Sequence, residues 1–109
     1  ELKAHELGQF DALRGFLAGL DSVKEGGASM LDLTQVLYGT CMGSANSHSN
    51  VNLPVLIAGG GFRHGRHLAF DVAKNTPLTN LHVSMLRRLG VETESFSTST
   101  GPLKGLDPA

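Results

Sequence analysis

Apolar residues recur at helical spacing in the first part of the chain. Spacings of three and four residues place them on one stripe of an α-helix. The stripe consists of Leu7, Phe10, Leu13, Leu17 and Leu20. We therefore predict an amphipathic helix over residues 2–24. We expect Gly26 and Gly27 to end it, because glycine readily adopts the left-handed conformation found at helix ends.

Two short runs rich in β-branched, aromatic and aliphatic residues predict strands. The first covers residues 34–38, Thr-Gln-Val-Leu-Tyr. The second covers residues 53–58, Leu-Pro-Val-Leu-Ile-Ala, and leads into three glycines. Because this second run is apolar at nearly every position, we expect it to be covered on both faces of a sheet. Pro54 belongs at the start of that strand, since proline cannot donate a ladder hydrogen bond.

The last regular element has helix signals at both ends. Thr76 is a candidate N-cap, Pro77 suits the first helical position and Gly90 is a typical stop. These signals predict a helix over residues 77–89. Its predicted apolar face consists of Leu78, Leu81, His82, Met85 and Leu89. Residues 91–109 are rich in Ser, Thr, Gly and Pro, and predict an extended tail over the surface.

The stretch from Asp32 to Leu89 therefore predicts an α/β unit, in which two strands are joined by a polar loop and closed by a helix. A chain of 109 residues builds one modest core and buries only about two thirds of its unfolded surface. Charged residues make up 17% of the chain, so we expect part of its surface to be covered by other protein.

Charge and hydropathy disfavour two classes of partner. The formal net charge is −1 and no run of Lys or Arg is present, whereas nucleic-acid binders need a basic footprint. No apolar stretch approaches the roughly 20 residues of a membrane helix, so membrane insertion is not predicted. Cys41 is the one cysteine of the chain, which leaves no internal disulfide or cysteine-based zinc cluster.

Candidate chemistry lies in the two loops that follow the strands, because ligands of open α/β sheets bind beyond the carboxyl ends of the strands. The first loop surrounds His48 with Asn and Ser side chains. A neutral imidazole can serve as a base or metal ligand when a neighbouring polar group fixes its tautomer. The alternative is a solvated turn whose side chains bond their own backbone.

The second loop runs from three consecutive glycines into basic residues. Glycine lets the backbone approach a ligand closely, and Arg63, Arg66 and His67 could bind an anion such as phosphate or sulfate. The loop matches neither the Walker motif nor the dinucleotide-binding fingerprint. The alternative is a flexible turn with solvated basic side chains. His48, His64 and His67 could together ligate a metal, although carboxylates near them are sparse.

A series of motifs follows in order along nearly the whole chain: the run from Met30 to Gly43, then Asn46-Ser47-His48, Gly59-Gly60-Gly61, Gly65-Arg66-His67-Leu68, Thr76-Pro77-Leu78 and Ser99-Thr100-Gly101. In order and spacing these motifs resemble the C-terminal region of a family of secreted bacterial proteins of unknown function, named for its HXXSHH motif. The same order is similar to the end of the alkaline phosphatase and sulfatase superfamily: a strand before a metal-binding loop, a histidine loop, a strand into a glycine turn, and a final helix.

The resemblance implies that residues 1–109 are a single α/β segment, the C-terminal part of an alkaline-phosphatase-like sheet with flanking helices. It implies a secreted or periplasmic protein, and a His48 that faces a metal or an oxyanion. If the ligand is a divalent metal, its other ligands lie outside this chain. Metal-dependent members place Asp-His or Asp-Asn after the first strand. This chain has Thr40, Cys41 and Met42 there, which are poor ligands for hard metals.

Three hypotheses follow. The chain belongs to a hydrolase of phosphate or sulfate esters, or to a non-catalytic binding or structural subunit that has lost the metal site. In both cases its partner is the remainder of a larger polypeptide or a second subunit. The third hypothesis is an independent small domain that folds alone.

Overall fold

The computed structural model describes residues 1–108, which form helices and small antiparallel sheets. The elements in chain order are α1 (Leu2–Ser22), β1 (Lys24–Glu25), β2 (Ala28–Ser29), α2 (Met30–Leu33), β3 (Gln35–Gly39), β4 (Val55–Gly59) and α3 (Thr79–Arg88). At this coarse level the predicted mixture of α and β structure is confirmed. No helix among these residues is both long and apolar enough to cross a membrane.

The first helix packs lightly on the rest of the chain. It contacts α2 and β2, but none of its residues is buried. Phe10 and Tyr38 lie with their ring centroids 5.7 Å apart, and the Tyr38 hydroxyl donates to Gln9 Oε1 at 3.1 Å. Of the apolar stripe of α1, Leu13, Leu17 and Leu20 are half-buried, whereas Leu7 and Phe10 remain exposed.

Gly26 and Gly27 do not end α1, so that part of the prediction was wrong. The helix stops at Ser22, and the chain continues in extended conformation at Val23. The two glycines have φ of 58° and 86° and close a short hairpin, in which Lys24 pairs with Ser29. Two consecutive positive φ angles are what a two-residue hairpin turn requires, and glycine supplies them without steric cost.

A capping box starts the short helix α2. The Ser29 hydroxyl accepts from the Asp32 N–H at 3.1 Å, while Asp32 Oδ2 accepts from the Ser29 N–H at 3.0 Å and from its hydroxyl at 2.9 Å. These hydrogen bonds, with the backbone contribution largest, hold the pKa of Asp32 below its ordinary value; slight burial opposes the shift and Lys24 adds to it. The Ser-x-x-Asp spacing satisfies otherwise free N–H groups at the helix start.

The strands β3 and β4 form an antiparallel pair. Gln35 lies opposite Gly59 and Gly39 lies opposite Val55, so the segment that joins the strands and the segment after β4 are at opposite ends of the pair. The expectation that the second strand is covered on both faces was wrong. Val55 and Leu56 are consecutive, so their side chains point to opposite faces, and they are 36% and 39% exposed; neither face of the first half of β4 is fully covered within residues 1–108.

The buried face of α3 differs from the predicted one. Leu81 and Val83 are buried, but so are Asn80 and Ser84, whereas Leu89 is 67% exposed. The C-terminal tail explains this rotation. Asn80 exchanges two hydrogen bonds with Thr100, and the Ser84 hydroxyl accepts from the N–H of residue 103 at 2.9 Å.

The start of α3 also differs from the prediction. The N-cap position is occupied by Leu78 and carries no side-chain cap, so Thr76 does not serve as N-cap. Pro77 accepts from the Asn80 N–H at 3.0 Å, which forms a tighter turn before the helix.

The core is small and the molecule is flat. The buried apolar side chains are Phe62, Leu81 and Val83. The radius of gyration is 15.4 Å, whereas a compact domain of this length has about 13 Å. The principal extents are 46 × 42 × 21 Å. The chain is therefore thinner and more open than an isolated domain of its size.

We predict that Ser29→Ala lowers the free energy of unfolding by about 1 kcal/mol at neutral pH, because it removes the helix cap. Because the pKa of Asp32 is lowered in the folded state, the stability that its carboxylate contributes is fully present above the unfolded-state pKa of about 3.9. That stability is lost as the pH falls through the lower, folded-state pKa. The difference in free energy of unfolding between wild type and Ser29→Ala should therefore become smaller below about pH 4. Urea unfolding at several pH values measures it. Ser22→Ala, at an exposed position, is the control, and an equal loss there would contradict the prediction.

Candidate functional site

An open groove of about 1260 Å³ borders β4. Its floor is largely apolar and comes from distant parts of the chain. The contributors include Val55, Ile57, Leu68, Phe70, Leu81 and Leu106. The groove therefore lies between the second strand, the loop that follows it, the start of α3 and the C-terminal tail.

Basic side chains line the same groove. Arg63, His64, Arg66 and His67 are all among its lining residues, and no Asp or Glu is. The three residues predicted to bind an anion are thus brought to one surface, although their role as a binding site stays a prediction. An apolar floor with a cationic rim suits a ligand that is itself apolar and carries negative charge.

The two arginines differ in their pairing. Arg66 forms an ion pair with Asp107 Oδ2 at 3.3 Å, so a carboxylate of the tail already balances its charge. The backbone N–H of Arg63 donates to the Asp107 carbonyl at 2.9 Å. Within residues 1–108 the Arg63 guanidinium has no hydrogen-bond or ion-pair partner, so it is the arginine of the groove that remains free for a ligand.

The imidazole of His64 is held in place by the backbone. Its Nε2 lies 2.8 Å from the Gly59 carbonyl oxygen, which can only accept, so Nε2 carries the proton and Nδ1 is left as an acceptor. The ring stands edge-on to Phe62, with centroids 6.5 Å apart. His67 is exposed on the same rim, and no polar partner of its ring lies within the described residues.

The glycine turn after β4 packs against its own chain, not against an open site. A Cβ on Gly59 would collide with the backbone carbonyls of Leu31 and Thr34. A Cβ on Gly61 would collide with the guanidinium of Arg88. The glycines are therefore required by close internal packing, and the idea that they let a ligand approach the backbone finds no support in the geometry.

His48 lies apart from the groove. It is exposed in a turn closed by the bridge between Ser44 and Ser49, with φ of 49°, and it does not line the groove. Antiparallel pairing puts this turn at the other end of the strands from Arg63, and the strands themselves are roughly 14 Å long. Its ring has no hydrogen-bond partner within residues 1–108, so no Asn or Ser fixes its tautomer there.

The three loop histidines do not gather around a common point. Among residues 1–108 no group of three or more His, Cys, Asp or Glu side chains is placed to hold a metal ion. Cys41 is an exposed free thiol. His82 is half-buried in α3 and meets Phe96 edge-to-face at 5.9 Å.

Sequence reasoning missed two residues that shape the groove region. Asp107 balances Arg66, and Arg88 donates to the Gly60 carbonyl at 2.7 Å. Each contacts a partner that is distant in the sequence, and the residues next to it in the sequence give no sign of that contact. The available signal was indirect: Arg88 falls within the helix predicted over residues 77–89, but nothing near it in the sequence indicates Gly60 as its partner.

Comparison of the chain with protein-family models, with curated proteins and with solved structures gives no match.

We predict that Gly59→Ala destabilises the fold by several kcal/mol, whereas Gly65→Ala costs only about 1–2 kcal/mol. Both glycines have positive φ, 72° and 79°, so both substitutions carry the same backbone strain. Only Gly59 has backbone atoms in the way of a Cβ, since nothing lies within 4 Å of that position at Gly65. Urea unfolding followed by circular dichroism measures the difference. Equal losses would contradict the steric role of the turn.

Proposed function

We propose that this chain is a non-catalytic binding or structural segment of a larger α/β assembly, and that its exposed apolar surfaces are covered by other polypeptide there. The resemblance described above supports an alkaline-phosphatase-like sheet as that assembly, in a secreted or periplasmic protein. The observation that carries the proposal is the amount of surface left open.

The accessible surface is too large for an isolated domain. It measures 7830 Å², whereas a folded monomer of 11.5 kDa has about 5800 Å². The excess of about 2000 Å² is larger than the roughly 800 Å² that each partner contributes to a standard protein interface. A chain of this shape therefore has room for more than one covering neighbour.

Part of that surface is apolar, and it lies on more than one element. On α1, Leu7, Phe10 and Phe16 are each half exposed or more, at 56%, 50% and 54%. On β4, Val55 and Leu56 are exposed beside the groove. Single exposed apolar residues are normal, but extended apolar surfaces mark interaction sites.

We predict that the isolated 109-residue chain binds an environment-sensitive dye such as ANS in native buffer, because its apolar surfaces are uncovered. Its urea m-value should fall below that of a compact domain of equal length, since less surface is newly exposed on unfolding. A fluorescence titration and an unfolding curve measure both. If the chain does not bind ANS and unfolds cooperatively with the m-value of a compact domain, the proposal is contradicted and an independent small domain is favoured.

A phosphate- or sulfate-ester hydrolase is the second candidate. It is supported by Arg63, Arg66 and His67 on the rim of one groove, where an ester oxyanion would meet positive charge. In this version a divalent metal is bound by His48 together with ligands from outside the chain, but His48 lies at the other end of the strand pair from these three residues, so this geometry speaks against a single combined site. His48 is exposed at the far end of the strand pair, so it is accessible to such ligands.

The two candidates predict different results for His48→Ala in the polypeptide that contains this chain. Removal of a residue that only supports a metal ligand lowers metal affinity or activity by roughly 10-fold or more. If the polypeptide is a hydrolase, removal of the ligand itself should lower both bound metal and esterase rate by more than that. A non-catalytic segment should show no change in either. Elemental analysis and turnover of generic phosphate and sulfate esters measure the outcome. His5→Ala, at an exposed site on α1, is the matched control.

A further inference from the structure

We propose that the free edge of β4 binds an extended apolar segment of a separate polypeptide, and that this segment carries carboxylates at the end that meets Arg63. The inference rests on the function proposed above and specifies the partner of that same surface.

The backbone of β4 is available on one edge. Within residues 1–108 the strand pairs only with β3, and no other backbone hydrogen bond reaches residues 55–58. Residues 54–58 line the groove consecutively, although side chains of a strand alternate between its faces. The groove therefore follows the edge of the strand. A row of unpaired N–H and C=O groups at such an edge accepts an added strand.

The side chains beside this edge are apolar and exposed, so an apolar occupant would bury them. Val55 and Leu56 are 36% and 39% exposed, and Phe70 across the groove is 37% exposed. No Asp or Glu is among the residues that line the groove. Val55 and Leu56 are consecutive in β4, so an added extended segment would place apolar side chains beside Val55 on one face and beside Leu56 on the other, while its backbone completes the hydrogen bonds of the edge.

Charge decides which apolar segment fits. No Asp or Glu lines the groove, but Asp107 of the tail balances Arg66. Within residues 1–108 the guanidinium of Arg63 has no hydrogen-bond or ion-pair partner. A second copy of this chain would bring an equally cationic rim to the contact, and like charges oppose association. A partner with carboxylates satisfies Arg63 by a charge-assisted hydrogen bond instead.

The test uses two fluorescent peptides and the full 109-residue chain. Both peptides alternate valine and threonine; one ends in a pair of aspartates and the other in a pair of lysines. Anisotropy titrations should show that the aspartate peptide binds more tightly. Arg63→Glu should weaken that binding about tenfold and reverse the preference between the peptides. Arg14→Glu makes the same charge change on α1, where Arg14 pairs loosely with Asp11, and should leave binding unchanged.

Hydrogen exchange tests strand addition separately from charge. On binding of the aspartate peptide, amides of β4 that face the free edge should exchange more slowly, and those of β3 should not change. Equal binding of both peptides to wild type, or unprotected β4 amides in the complex, would overturn the proposal. So would sedimentation showing that the chain alone dimerises through β4, because the occupant would then be a second copy.

Failure of this inference is distinguishable from failure of the proposed function. If the chain binds ANS but neither peptide, the apolar surface remains and only the assignment of the partner is wrong. If the chain excludes ANS and binds neither peptide, both are wrong.

Discussion

The backbone of Gly60 joins three parts of the fold. Its N–H donates to the Leu31 carbonyl of α2 at 3.0 Å, and its carbonyl accepts from Arg88 of α3 at 2.7 Å. Gln35 adds a second link, because its side-chain amide donates to the Met85 carbonyl at 3.1 Å. The turn can lie this close only because its residues lack a Cβ. The strand pair, α2 and α3 therefore hold their relative positions through a few backbone-centred hydrogen bonds, and the apolar core that accompanies them is small.

This arrangement explains which predictions from the sequence succeed. The positions of α1, β3, β4 and α3 are close to those expected, because each depends on local periodicity and on nearby glycine or proline. The direction of strand pairing is not local. The segment between the strands is long enough to return in either sense, so the parallel geometry implied by an open α/β sheet was as compatible with the sequence as the antiparallel one observed.

The buried face of α3 could not be found from apolar spacing for a related reason. Asn80 and Ser84 are buried because the tail needs hydrogen-bond partners when it crosses the helix. The same limitation applies to the groove. Arg63, Arg66 and His67 were predicted together because they are neighbours in the sequence, whereas Asp107 reaches Arg66 from the far end of the chain. His48 was placed at the same edge as these residues only on the assumption of parallel strands.

The flatness of the molecule has a consequence for how it would sit in an assembly. An extent of 21 Å in the shortest direction equals about two layers of secondary structure at roughly 10 Å each. Sheets of α/β proteins are commonly sandwiched between helices on both faces, which makes three layers. One further layer would bring this chain to the thickness of a complete α/β domain. In the proposed assembly such a layer would cover a face of the sheet, while strand addition at β4 would widen the sheet in its own plane.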